Sequence, residues 1–263
     1  DRHFGALAGQ GLVNIQLKNY EKAILSYQMA EEIYPTMRSP KIMIKQIQDL
    51  IKKNSIWMCG RYVVKNPVTK TSKLVKSAIQ VDDTENYNAH PYQKLPVIKK
   101  YKNGNTLESL KWGLIPGWAK DKDFKALINA RLETIDEKVS FKKLIKNNRC
   151  VAVADGFYEW KREEKEKTPH YFTRKDGNSI FFAGIFEDDQ FCLITEEAKE
   201  NIREIHHRQP VIINQTDVNR YLNLELQGSN FLNECNKPDL VFHEVSKDVN
   251  KPTNNSASLI QKV

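Results

Sequence analysis

The chain has 263 residues, 40% of them hydrophobic and 28% charged, a globular balance that excludes a disordered or fibrous class. Such a length holds one large domain, or one of medium size with an appendage. A formal charge of +8 permits nucleic-acid contact without requiring it, and no apolar run approaches a membrane span, so no membrane partner is expected.

Residues 3–53 read as helices. The string LKNYEK at 17–22 separates the first two, Pro35 ends the second, and Ser39-Pro40 starts a third, because proline suits a first helical turn. Ile42, Ile44, Ile47, Leu50 and Ile51 form the apolar face of that third helix. Leu7, Gly11, Ala23, Tyr27, Ala30 and Pro35 stand where a tetratricopeptide (TPR) repeat sets its small and large packing residues, and the segment resembles that family. A solitary repeat cannot enclose a core, since stacked repeats bury one another's faces. The expected division is a TPR-like segment at 1–57, with a possible protein partner, and a second domain at 58–263.

From Cys59 the texture changes to short apolar or alternating runs. Strands are expected at 150–155, 170–175, 179–187, 190–195, 210–214 and 240–246, with turns at Gly177-Asn178 and Asp188-Asp189. Short helices are expected near 71–79, 140–147, 197–206 and 217–224, the third capped by Thr195 or Glu196. The run KREEKEK at 161–167 reads as a solvated loop joining two strands. The fold class is therefore α+β on an antiparallel, β-rich domain with peripheral helices, preceded by an all-α hairpin; there is no Gly-rich phosphate loop.

Four cysteines, at 59, 150, 192 and 235, form no Cys-x-x-Cys pair, so neither zinc, nor another cofactor, nor a disulfide framework is expected. That usage points to a reducing, cytoplasmic setting, nucleoid-associated if the source is bacterial.

Polar residues set in apolar, aromatic strings are the places to look for chemistry. Four stand out: Cys59 in MCGRY, Asn129 in LINARLET, Glu159 in DGFYEW and His206 in IHHRQP. Taken singly, each has a plain structural reading. A lone cysteine is usually a small buried hydrophobe, the glutamate could pair with Arg131, and a histidine ending a helix can simply favour the dipole.

Taken together, these strings carry a resemblance. CGRY at 59–62, YNAHP at 87–91, WGLIPGW at 112–118, NARLET at 129–134, RCVAVADGFYEW at 149–160, FAGIFE at 182–187, His-x-Arg-x-Pro at 206–210 and VSKDVN at 245–250 resemble, in order, the SOS-response-associated peptidase (SRAP) family. The resemblance covers residues 59–263.

It implies an abasic-site sensor that binds single-stranded DNA and crosslinks to it through an N-terminal cysteine. An opened abasic sugar presents an aldehyde. A terminal cysteine offers an amine and a thiol that close a thiazolidine ring on it. An α-amine has a pKa of roughly 7.7–8.0, so part of it is neutral at cytosolic pH, whereas an internal cysteine has a non-nucleophilic amide there. The resemblance makes Cys59 the nucleophile and Glu159 the proton carrier, its apolar neighbours raising its pKa. His206 protonates the sugar oxygen, His207 filling the variable place of the motif, and Asn129 fixes the geometry. It implies DNA contacts from Arg61, Asn88, Pro91, Trp112, Trp118, Arg131, Trp160 and Arg208, although tryptophans in such strings are as often core.

Three departures from that pattern stand out, the first two tolerable and the third serious. Gln209 replaces a usual methionine, His90 precedes Pro91 where a small residue is common, and residues 1–58 precede the cysteine. The reading expects the natural start at Met58. Self-cleavage at Met58–Cys59 is the second explanation, and a retained extension that blocks Cys59, leaving a non-covalent DNA-binding module, is the third. A thiol peptidase built on Cys59 and His206 is a further alternative.

Overall fold

The computed structural model describes residues 2–16, 20–36, 38–54, 60–76, 78–102, 104–119, 124–163 and 166–263. The chain divides into two units, Asp1–Trp57 and Met58–Val263.

The first unit is three helices: α1 (Arg2–Gln16), α2 (Tyr20–Ile33) and α3 (Arg38–Asn54). Small residues let α1 and α2 approach. Ala23 and Ala30 are fully buried beside Tyr27, and a Cβ on Gly11 would lie 2.5 Å from the Tyr27 ring. The third helix begins at Arg38, one residue before the expected Ser39-Pro40 start, a difference within the fraying of helix ends. On α2, Leu25, Met29 and Ile33 recur every fourth residue and stay 42%, 47% and 45% exposed. That spacing is one helical face.

The second unit starts with β1 (Arg61–Lys65), α4 (Pro67–Thr71), β2 (Glu85–Ala89), β3 (Lys94–Tyr101), β4 (Gly104–Trp112) and β5 (Asn129–Arg131). There follow α5 (Leu144–Asn147), β6 (Arg149–Ala154), β7 (Gly156–Glu163), β8 (Glu166–Arg174), β9 (Ile180–Glu187) and β10 (Gln190–Glu197). The chain closes with α6 (Glu200–Arg203), β11 (Arg208–Pro210), β12 (Ile212–Ile213), α7 (Val218–Leu222), α8 (Asn230–Glu234) and β13 (Leu240–Glu244). The architecture is α+β, as expected.

The strands form a five-stranded sheet, β13-β8-β7-β1-β2, and a second sheet that closes on itself. In the second, β10 pairs with β4, then β3, β6 and β9 follow, and β9 pairs back to β10. Closure removes the exposed edges an open sheet would carry. Where β9 and β10 splay, residues 208–213 enter between them: Val211 N–H donates to Ile194 O, and Val211 O accepts from Ala183 N–H. Most pairings are antiparallel; β10 runs parallel to β4 and β5.

The two sheets meet through aromatic rings. Phe157 stacks on Phe172 at 4.9 Å, and both Phe157 and Tyr62 reach Phe182 of the barrel, at 5.9 and 5.6 Å. Gly156 is required at this seam: a Cβ there would stand 2.4 Å from the Tyr171 ring and 2.5 Å from Phe172 O.

Several local expectations are corrected. The helix expected at 71–79 lies at Pro67–Thr71, where Pro67 takes the first turn. Strand β10 continues to Glu197, so Thr195 and Glu196 are strand residues and Lys199 precedes α6. The charged run at 161–167 is not a free loop. Lys161 pairs with Thr168 and Arg162 with Lys167, extending β7 and β8 into a ribbon, because charges on both faces suit an exposed two-stranded hairpin. The strand expected at 210–214 is split by Val211 into β11 and β12.

Candidate active site

Two strings converge at the far end of β10. There β5 lies on one side and β11 on the other: Thr195 pairs with Arg131 in one direction and with Pro210 in the other. The Asn-Ala-Arg and His-His-Arg strings therefore flank one strand end.

His206 is 6% exposed. Its Nδ1 stands 3.2 Å from Arg208 N–H and 3.1 Å from Arg208 O, so either tautomer has a partner on that side. Its Nε2 is buried and has no hydrogen-bond partner among the described residues. Burial lowers the His206 pKa below its ordinary value, and the neighbouring charges of His207, Arg162 and Arg208 lower it further. The imidazole is thus held neutral near pH 7. His207 lies tilted against it, ring centroids 4.5 Å apart; burial and the cations Arg208 and Arg131 lower its pKa as well.

Glu159 lies on β7 and is 1% exposed, on the face it shares with Phe157. Arg61 pairs with Tyr158 and Tyr62 with Phe157; that register, extended by one step, sets Gly60 opposite Glu159. Cys59 itself lies outside the described residues. Arg162, three residues beyond Glu159 on the same strand, is close enough to His206 to depress its protonation. Asn129 opens β5, half-buried, in register with Leu193.

Of the eight residues assigned to DNA, four are buried and engaged within the protein. Trp112 is fully buried; its Nε1 donates to Ile128 O at 2.9 Å and it stacks on Phe191, so its ring is core. Asn88 is 1% exposed, its Nδ2 bonded to Val249 O, Lys251 O and Asn254 O. Pro91 is buried. Arg208, 5% exposed, grips both oxygens of Glu133 and also Thr195 O, while its buried Nε has no hydrogen-bond partner among the described residues.

Arg61 and Trp160 are partly committed. Arg61 Nη1 donates to Asn88 Oδ1 at 2.7 Å and Val249 O at 2.8 Å, and Trp160 Nε1 to Asn250 Oδ1 at 2.7 Å. Three motif strings, from β1, β2 and β7, thus tie down the segment that follows β13. Arg131 is exposed, and Trp118 is 40% exposed, edge-on to Phe124 at 5.4 Å. These two remain open to a ligand.

Sequence reasoning passed over Arg162 and noted Gln209 only as a substitution. Arg162 was hidden in a charged run read as a loop. Gln209 is 3% exposed, with Nε2 donating to Glu196 Oε1 and Oε1 accepting from Lys199 N–H; a polar residue inside the His-x-Arg-x-Pro string was its signal. Among the described residues there is no cluster of metal-ligating side chains.

A buried imidazole and an exposed arginine thus lie at one end of the barrel strand β10, while a buried glutamate lies on β7 of the five-stranded sheet. A profile of the family described as SOS response associated peptidase (SRAP) matches residues 58–252. Abasic site processing protein YoqW of Bacillus subtilis is 34% identical over 222 residues, spanning 78% of this chain and 99% of that protein. Abasic site processing protein YedK of Escherichia coli is 30% identical over 226 residues, spanning 78% of this chain and all of that protein. A crystal structure of a Bacteroides thetaiotaomicron protein shares the fold, with a TM-score of 0.67 at 24% identity over 78% of this chain and all of that one. The chain belongs to the SRAP family.

Proposed function

We propose that this protein processes abasic sites in single-stranded DNA and captures them covalently through Cys59, once that residue stands at the chain start. The observation that carries the site's part in this reading is the buried His206 Nε2 without a partner among the described residues, since a polar atom left so is costly unless a ligand meets it. Relatives named abasic site processing proteins, similar over nearly their whole length, supply the substrate class.

In this reading the Cys59 amine adds to the aldehyde carbon of the opened sugar and the adduct loses water to give an imine. The thiol then adds to the imine carbon and its proton passes to nitrogen, closing the ring. His206, neutral near pH 7 with a hydrogen on Nε2 in the tautomer that accepts from Arg208 N–H, donates a hydrogen bond to the sugar oxygen as the ring opens, and that oxygen takes up the proton the C1 hydroxyl loses. Glu159 moves protons at the amine, Asn129 orients the reacting groups, and Arg131 and Trp118 meet phosphate and base. Removal of the leader by cleavage at Met58–Cys59 supplies the free amine. The helical unit, with its exposed Leu25, Met29 and Ile33 face, is a TPR-like docking element for a protein partner.

The test is a denaturing gel with an abasic oligonucleotide. Protein beginning at Cys59 should give a heat-resistant shift, and Cys59→Ala none. Absence of the shift from the Cys59-start protein refutes the reading.

A further inference from the structure

A chain of four groups ties the outside of β11 to the loop that carries His206. Lys237 Nζ is paired with Glu196 Oε2. Glu196 Oε1 accepts from Gln209 Nε2 at 2.9 Å, the two residues facing each other across the β10–β11 ladder. Gln209 Oε1 in turn accepts from Lys199 N–H at 3.1 Å. Lys199 opens α6, and the loop that runs from it to His206 is otherwise closed at its base by Ala198 N–H donating to His207 O at 3.0 Å. His206 N–H ends the loop on Ile202 O.

We propose that Gln209 is a positioning residue for His206: its amide straps the start of the 198–207 loop to β11 and so fixes where the imidazole stands. The inference rests on the reading of His206 as the group that hydrogen-bonds the sugar oxygen in the reaction. Gln209 is buried, so both ends of its amide must be satisfied, and they are satisfied by groups on two different elements. An apolar residue of equal length would fill the same volume without holding Lys199. A small displacement of a reacting group is enough to cost much of its rate. The charged and titratable groups facing His206 are His207 from the same loop, Arg208 from β11 and Arg162 from β7. A slackened loop changes its distance to the last two.

The test compares the full chain with Gln209→Met and Gln209→Glu. In the unmodified chain the Lys199 amide should be protected from hydrogen exchange as well as Ala198. Gln209→Met, which lacks an acceptor, should speed Lys199 exchange about tenfold, the loss of one buried hydrogen bond. It should also move the His206 titration, followed by NMR, and slow crosslinking by the Cys59-start form about tenfold with unchanged DNA affinity. Gln209→Glu keeps an oxygen for Lys199 and should keep its protection. A Lys199 amide that exchanges freely in the unmodified chain overturns the proposal even if Gln209→Met fails to fold. So does a folded Gln209→Met with unaltered His206 titration. Should the unmodified Cys59-start form give no crosslink, the reading of the site falls, and exchange and titration decide the strap by themselves.

Discussion

Arg208 holds Glu133 with two parallel hydrogen bonds, Nη1 to Oε1 at 2.7 Å and Nη2 to Oε2 at 2.9 Å, joining β11 to the turn after β5. The arginine is buried while the carboxylate keeps 42% of its side-chain surface exposed. Burial alone would raise the Glu133 pKa, but the Arg208 bonds outweigh it and the net shift is downward.

The first prediction concerns that pair. Glu133→Gln should cost about 1–2 kcal/mol, toward the lower end because the carboxylate is half open to solvent. A depressed carboxylate pKa contributes stability that is present above its unfolded value and lost as pH falls through the folded one. The gap between parent and variant in urea unfolding should therefore be full at pH 7 and close as the pH drops below about 4.

A second prediction concerns Arg149, at the start of β6 and 2% exposed. Its guanidinium donates to four carbonyls, those of Ile145, Tyr221, Leu226 and Gly228. No lysine can reproduce that fan, because an ammonium presents a point charge with three donors. Arg149→Met should destabilise the β unit by roughly 3–5 kcal/mol, since it strands several buried acceptors. Arg149→Lys should recover only part of that loss. The measurement is the shift in denaturant midpoint by tryptophan fluorescence.

Residues such as these show where the sequence could be read and where it could not. Runs like CVAVAD and SIFFAGIFE announce barrel strands, because both faces are buried and only apolar residues are tolerated. Strands β1 to β4 went unread. Their texts, such as KLPVIKKY inside the barrel and ENYNA at the edge of the five-stranded sheet, mix lysine and asparagine into strands whose polar residues look like loop. The motif strings point to one region, but the employment of each residue depends on partners far along the chain. Arg61 meets Val249, 188 residues away, and Asn88 meets Asn254, 166 away. No local pattern distinguishes such a structural tie from a DNA contact. Gln209 looked like a neutral replacement for the same reason: its partners Glu196 and Lys199 are neighbours only through the β10–β11 ladder.

The third prediction follows from the histidine pair. Both pKa values are depressed, by burial first and then by neighbouring charges: His207, Arg162 and Arg208 at His206, and Arg208 and Arg131 at His207. The folded chain therefore binds fewer protons than the unfolded chain below about pH 6.5, so stability is full above that value and falls as pH drops through the folded pKa values. NMR titration should find His206 below the ordinary histidine value. His207→Asn removes a charge that competes with His206 protonation, so it should raise the His206 midpoint; a lowered or unmoved midpoint would contradict the coupling.

The last prediction separates two tryptophans of one motif, WGLIPGW. Trp112 is sealed in the core against Tyr62 and Phe191, so Trp112→Ala leaves a large cavity and should cost roughly 3–5 kcal/mol of stability. Trp118 sits on a surface turn, 40% exposed, where its face can take a base. Trp118→Ala should leave the unfolding midpoint nearly unchanged while weakening single-stranded DNA binding by about 1–3 kcal/mol, the worth of one base–aromatic stack. The two effects are read by denaturant unfolding and by fluorescence anisotropy of a labelled oligonucleotide at fixed salt. Equal losses of stability in both variants would place Trp118 in the core and remove it from the DNA path. Unchanged affinity in Trp118→Ala would do the latter alone, leaving Arg131 to carry the approach.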